Sequence, residues 1–195
     1  NHHYFIYRLN EQTGGVIYGV IDGFKGLKFP EDIRVKKLTR DITAKNMTLG
    51  GTQLGSIRDE KEPGLVKLWL KSLKKLEIDI LYVIGGNGSL TAAGKLADLC
   101  KEKNHPIVIA GIPKTMDNDI LWTDYTFGFS SAVRQADQII TALQADAFST
   151  RRIGLIQLFG RDSGFVSAYA SLASGVVDAV VIPEECWSET EPRKF

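Results

Sequence analysis

Three short segments hold residue types that could handle a phosphoryl group. The least ordinary is Gly111-Ile112-Pro113-Lys114-Thr115-Met116-Asp117-Asn118-Asp119. Its two carboxylates, lysine and hydroxyl offer a base for an attacking hydroxyl, a carboxylate for magnesium and a cation to offset developing charge. Asp and Asn are also favoured turn residues, so an Asx-turn with solvated carboxylates accounts for the same letters. The second segment is Gly85-Gly86-Asn87-Gly88-Ser89, between an apolar run and a helical pattern. Unpaired N–H groups at such a helix start, with the helix dipole behind them, favour phosphate. A plain strand-to-helix turn would need the same glycines. The third is Phe159-Gly160-Arg161-Asp162-Ser163-Gly164, with Arg151-Arg152 upstream. Arginine's planar fork can give phosphate two hydrogen bonds at once. Each arginine alone would serve equally in a surface ion pair.

These segments need a frame to hold them, and the chain alternates short apolar runs with helical periodicity. Val16 to Ile21 reads as a strand, followed by the turn Asp22 to Gly26. After Pro63, Leu65, Trp69, Leu73 and Leu76 share a helical face with lysines opposite. Ile78 to Ile84 is a near-continuous apolar run, as expected of a strand buried on both faces. Leu90, Ala93, Ala97 and Cys100 then mark a helix from Ser89, and Ile107 to Ile112 a further strand. A helix is expected from Ser130 to Leu143, a strand from Ile153 to Leu158, a helix through Val166, Tyr169 and Leu172, and a last strand from Val176 to Ile182. The pattern is that of an α/β fold with a mostly parallel sheet. In such sheets ligands bind beyond the carboxyl ends of the strands, so the loops at Gly85 and Pro113 are expected to face one crevice.

Composition narrows the partners. The 195 residues are 44% hydrophobic, enough for a sizeable core. Lys and Arg number 24 against 23 Asp and Glu, a net charge of +1, so no basic field for nucleic acid or membrane is expected. A small-molecule partner fits better. Cys100 and Cys186 lack metal or redox spacing, which fits a reducing compartment, and the cytoplasm is the expected location. No apolar run is long enough to cross a bilayer. The opening Asn1-His2-His3, without methionine, reads as the end of a fragment rather than as a metal site.

Together with Gly50-Gly51-Thr52-Gln53-Leu54-Gly55-Ser56-Ile57-Arg58, the three segments closely resemble the 6-phosphofructokinase family, of phosphofructokinase A type. The likeness runs from Ile21-Asp22-Gly23-Phe24 to Val181-Ile182-Pro183-Glu184. Gly-Gly-x-Gly-Ser recurs in kinases acting on NAD or lipids, whereas Pro-Lys-Thr-x-Asp-Asn-Asp is far more specific. The resemblance implies a Rossmann-like three-layer sandwich with mostly parallel sheets. It further implies a nucleotide- and phosphate-binding domain over 1–128, without its first strand and loop, and part of a sugar-phosphate-binding domain over 129–195.

By the same resemblance, the activity is phosphoryl transfer from ATP to the C1 hydroxyl of fructose 6-phosphate, with Mg2+. Asp117 would be the base, Thr115 would hold the transferring phosphoryl group or sugar, and Arg161 would stabilise transition-state charge. Arg58, Gly86, Asn87, Gly88, Ser89 and Lys114 would bind the donor's phosphates, and Phe24 would lie near adenine. Phe159 and Gly160 would contact the sugar phosphate, and Arg152 would reach the 6-phosphate across a subunit interface, implying a dimer or tetramer. Asp119 and the Asn87 position would support the metal. Asn87 departs from the family's usual aspartate, and Phe159 from its methionine. The glycine-rich loop near the family's N-terminus and its C-terminal sugar-phosphate residues are absent, so the 195 residues alone are expected to be inactive. Gly88 favours ATP because pyrophosphate users usually carry aspartate there, while Lys114 occurs in both branches. A pyrophosphate-dependent enzyme and a non-catalytic regulatory paralogue are the alternatives.

Overall fold

The computed structural model describes residues 14–39, 50–57 and 64–185. Among these, a first compact unit runs through Ile84 and resumes over Gly88–Ile112, and a second holds Gly85–Asn87 and the chain from Pro113 onward.

In the first unit, β1 (Ile17–Val20) pairs antiparallel with β2 (Val35–Leu38), with Ile17 opposite Leu38 and Val20 opposite Val35. The turn expected at Asp22 to Gly26 forms as a short 3₁₀ helix, Gly23–Leu27. Helix α1 (Leu65–Lys75) follows its apolar stripe, burying Leu65, Trp69, Leu70 and Leu73. Its last-turn lysines, Lys74 and Lys75, suit the negative end of the helix dipole. Ser72, fully buried, donates from its hydroxyl to the Leu27 carbonyl at 2.8 Å, which ties α1 to the 3₁₀ turn. Each buried leucine contributes about 1.5–3 kcal/mol, so this stripe fixes α1 far more strongly than helix propensity does.

Strands β3 (Ile80–Gly85) and β4 (Val108–Pro113) form a parallel pair, joined through helix α2 (Asn87–Glu102). Leu96 and Cys100 of α2 and Ile107 pack into the same core as Leu27 and Leu73. Burial pushes the Cys100 thiol above its ordinary value, with Lys74 drawing it partly back. Helix α2 begins at Asn87, two residues earlier than its apolar spacing indicates.

The second unit is built on helices α3 (Phe129–Thr150) and α4 (Phe165–Ser174). They pack through Ala136 and Ile140 against Ala170, where small side chains let the backbones approach. The Phe129 ring meets Tyr169 edge-on at 5.2 Å, pinning the start of α3 to α4. Helix α3 runs two turns past Leu143, the expected end. Those turns are largely exposed, Phe148 included, and the Ser149 and Thr150 hydroxyls donate back to the Ala145 and Asp146 carbonyls at 2.8 Å.

Two expected strands do not form. Neither 153–158 nor 176–182 carries a ladder. Ile156, Leu158, Val176 and Val177 do pack on the α3–α4 core, while Ile153 and Leu155 are 97% and 92% exposed. The side chains of 153–158 thus alternate as in a strand, but a strand also needs a neighbouring backbone to receive its N–H and C=O groups. Among the described residues neither segment has one. No described helix is long and apolar enough to cross a membrane.

Candidate active site

The second unit brings parts of all three motifs together. The Lys114 N–H donates to the Gly85 carbonyl at 2.9 Å, which continues the parallel pairing one residue into the loop. Gly86 consequently lies against Thr115. The Asn87 amide then donates from Nδ2 to Asp119 Oδ2 at 2.7 Å. The two ends of the loop system are held by these contacts.

Between them the 115–119 backbone is fastened by side chains rather than by a sheet. Thr115 Oγ1 accepts from the Asp117 N–H at 3.2 Å. Asn118 takes the left-handed conformation, φ 53°, which asparagine tolerates better than most residues. Its Oδ1 accepts from the Thr126 N–H at 2.8 Å, and its Nδ2 donates to the Asp124 carbonyl at 3.2 Å. Thr126, buried, donates from Oγ1 to the Thr115 carbonyl at 2.6 Å. From the third motif, the Ser163 hydroxyl donates to the Asp117 carbonyl at 2.7 Å. The packing of α3 on α4 explains this meeting, because one loop leads into α3 and the other into α4.

Asp119 has an oxygen to spare. Its Oδ1 is buried without a hydrogen-bond partner among the described residues, while Oδ2 is taken by Asn87. An orphaned carboxylate oxygen is costly unless a donor or cation completes it. A magnesium ion fits, since it commonly binds one or two carboxylates and takes its other ligands from phosphate and water. No group of three or more His, Cys, Asp and Glu side chains is clustered among the described residues, so Asp119 would be the main protein ligand. Asn87 would contribute its neutral amide side chain and no charge.

The remaining expected site residues are placed less directly. Gly88 and Ser89 occupy the first turn of α2, whose N–H groups have no helical acceptor. The Lys114 side chain is exposed. Arg161 donates from Nε to Asp162 at 2.8 Å, with both side chains largely in solvent. Phe159 is also exposed, Gly160 has φ 132°, and Arg152 follows the left-handed cap Arg151 at the end of α3. Phe24, in the first unit, stacks on Trp69 with centroids 4.3 Å apart. Arg58 lies outside the described residues, as do Cys186, His2 and His3. Asn118, Thr126 and Ser163 were not singled out by sequence reasoning. Their only local signal is a turn-forming asparagine between two aspartates and a serine ahead of a glycine.

A family model described as phosphofructokinase matches residues 4–193. ATP-dependent 6-phosphofructokinase of Entamoeba histolytica is 39% identical over 86% of this chain, which covers 38% of that protein. The enzyme of the same name from Glaesserella parasuis is 37% identical over 92% of this chain, covering 54% of its length. This chain therefore spans between about a third and a half of the relatives it matches. Among solved structures, Pichia pastoris phosphofructokinase in the T-state superposes with a TM-score of 0.81 at 25% identity, over 96% of this chain and 20% of that one. The pyrophosphate-dependent phosphofructokinase of Nitrosospira multiformis gives 0.82 at 22% identity, over 97% and 50% respectively. At that identity it speaks for the fold alone, which is the α/β class expected from the alternation of elements and the Rossmann-like one implied by the resemblance. With the family model covering nearly every residue, and with Lys114 to Asp119 folded against Gly85 to Asn87, the chain belongs to the phosphofructokinase family.

Proposed function

We propose that the protein carrying this chain transfers the γ-phosphoryl group of ATP to the C1 hydroxyl of fructose 6-phosphate. The observation that carries this reading is the fastening of Thr115, Asp117 and Asp119 in one loop beside Asn87. Asp117 takes the proton of the C1 hydroxyl as the new O–P bond forms and the bond to the leaving ADP breaks. Thr115 orients the phosphoryl group or the sugar, and Asp119, with its unpartnered oxygen, would hold Mg2+, which when bound would supply charge neutralisation. Arg161 turns from Asp162 to the transferring phosphoryl group, a small rearrangement because exposed ion pairs are weak.

Gly86, Asn87, Gly88, Ser89, Lys114 and Arg58 line the donor phosphates, while Phe159, Gly160 and Arg152 grip the sugar phosphate. Residues 1–128 serve the nucleotide and phosphates and 129–195 contribute to the sugar site. Arg152 acts from a neighbouring subunit, so the enzyme is an oligomer. The setting is cytoplasmic glycolysis under allosteric control. Support for ATP comes from Gly88, which keeps the donor site open for a nucleotide, and from the ATP-dependent relatives named above.

A coupled assay for fructose 1,6-bisphosphate on the full-length protein tests the reading. ATP is expected to support faster turnover than pyrophosphate, and Asp117→Ala to cut turnover by about 10²–10⁴ while nucleotide binding persists. Preference for pyrophosphate would reverse the donor assignment, and near-normal turnover in the variant would remove Asp117 from the chemistry.

A further inference from the structure

We propose that Ser163 is a positioning residue for Asp117, acting through the backbone to aim the catalytic carboxylate. The proposal rests on the reading of Asp117 as the base. The Asp117 N–H and carbonyl are each engaged by a side-chain hydroxyl, the former by Thr115 at 3.2 Å and the latter by Ser163 at 2.7 Å. No strand or helix holds this residue, so its direction depends on these two bonds and on the left-handed Asn118 that follows. Thr115 belongs to the same turn and moves with it. Ser163 is 46 residues further along the chain and ties the backbone of Asp117 itself to another element, whereas the Asn87 and Thr126 contacts hold the turn at Asp119 and Thr115.

Ser163 is itself held tightly. It is 4% exposed and immediately precedes Gly164, whose N–H donates to Glu184 Oε1 at 2.8 Å. A Cβ on Gly164 would collide with the Ile182 side chain and Glu184, so only glycine allows this close approach. On the other side Gly160 has φ 132°, a conformation open essentially to glycine, and a Cβ there would strike the Ser163 carbonyl. The turn 160–164 is shaped around Ser163, and α4 begins directly after it. A rigid hydroxyl donating to the backbone of the catalytic residue itself preorganises the base.

The test uses full-length enzyme, the single variants Ser163→Ala, Ser163→Cys and Asp117→Ala, and the doubles Asp117→Ala/Ser163→Ala and Asp117→Ala/Ser163→Cys. Ser163→Ala is expected to lower kcat about tenfold to a hundredfold, with KM for ATP and the melting temperature nearly unchanged, because misplacing a reacting group by an ångström costs on that order. Ser163→Cys keeps the volume with a weaker donor and is expected to fall between wild type and alanine. In the Asp117→Ala/Ser163→Ala double the Ser163→Ala step should cost less than about twofold, since a residue acting through Asp117 has nothing left to aim. Full kcat in either Ser163 single variant overturns the proposal. So does an undiminished Ser163→Ala effect in the Asp117→Ala background, which would assign Ser163 a general structural role. If Ser163→Ala fails to fold, the Ser163→Cys comparison in both backgrounds decides alone. Wild-type turnover in Asp117→Ala instead refutes the base assignment and is read separately from Ser163.

Discussion

Asn118 joins a left-handed backbone to a part-buried hydrogen bond, and the two can be separated by substitution. Its φ of 53° costs an ordinary L-residue about 1–2 kcal/mol, which asparagine largely escapes and glycine does not incur. Its Oδ1 also satisfies the N–H of the buried residue Thr126 at 2.8 Å, and leaving such a donor without a partner costs about 1–3 kcal/mol. Asn118→Ala incurs both losses, so a destabilisation of about 2–5 kcal/mol is expected. Asn118→Gly loses the hydrogen bond but not the conformation and should be about 1 kcal/mol milder. Denaturant unfolding gives the global difference. Amide hydrogen exchange at Thr126 gives the local one, with protection expected to drop about 5- to 150-fold in both variants. Equal destabilisation by alanine and glycine would show that the left-handed conformation is not what asparagine supplies. Unchanged exchange at Thr126 would refute the hydrogen-bond argument.

Two further outcomes follow from the geometry. Asn87→Asp places a second carboxylate 2.7 Å from Asp119, and the repulsion, screened at this exposed position, should cost about 1 kcal/mol without magnesium. Thermal unfolding in chelator and in magnesium should then show a larger metal-induced rise for the variant than for wild type; equal rises would refute the charge argument. For Cys100, burial favours the protonated thiol in the folded state, so its contribution to stability is complete below the unfolded thiol pKa and is lost as pH rises through the folded value. Alkylation of Cys100 near pH 8, followed by peptide mapping, should be slower than in denaturant by at least on the order of tenfold, and similar rates would show that the thiol is accessible.

The elements legible in the sequence are those with a clear apolar stripe or run. The stripe Leu65, Trp69 and Leu73 predicts α1 because one helical face meets the core, and the runs ending at Ile84 and Ile112 predict β3 and β4 by their apolar content and length, although the burial expected on both faces is not found, since Ile80, Tyr82 and Val108 are exposed. Strand β2 escaped because Val35-Lys36-Lys37-Leu38 has two exposed lysines at its centre and gains its identity from pairing with β1. Segments 153–158 and 176–182 show the converse. Apolar content and alternation report which side is buried and carry no information on whether a neighbouring backbone is there to pair.

The same distinction governs the site. Residue types mark Thr115, Asp117 and Asp119 because few structural needs place two carboxylates, a hydroxyl and a lysine in so short a span. What aims them is set by Asn118, Thr126 and Ser163, whose value comes only from closure of chain segments far apart in sequence. Asn87 shows why letter-by-letter likeness is insufficient. Judged against the family pattern it is a lost negative charge, yet its amide donates to Asp119 Oδ2 where a carboxylate would repel it. Asn87 therefore serves as a brace for Asp119. It leaves Asp119 Oδ1 buried, oriented and without a protein partner among the described residues, which is the condition in which a single carboxylate can best serve a cation that brings its other ligands with the nucleotide.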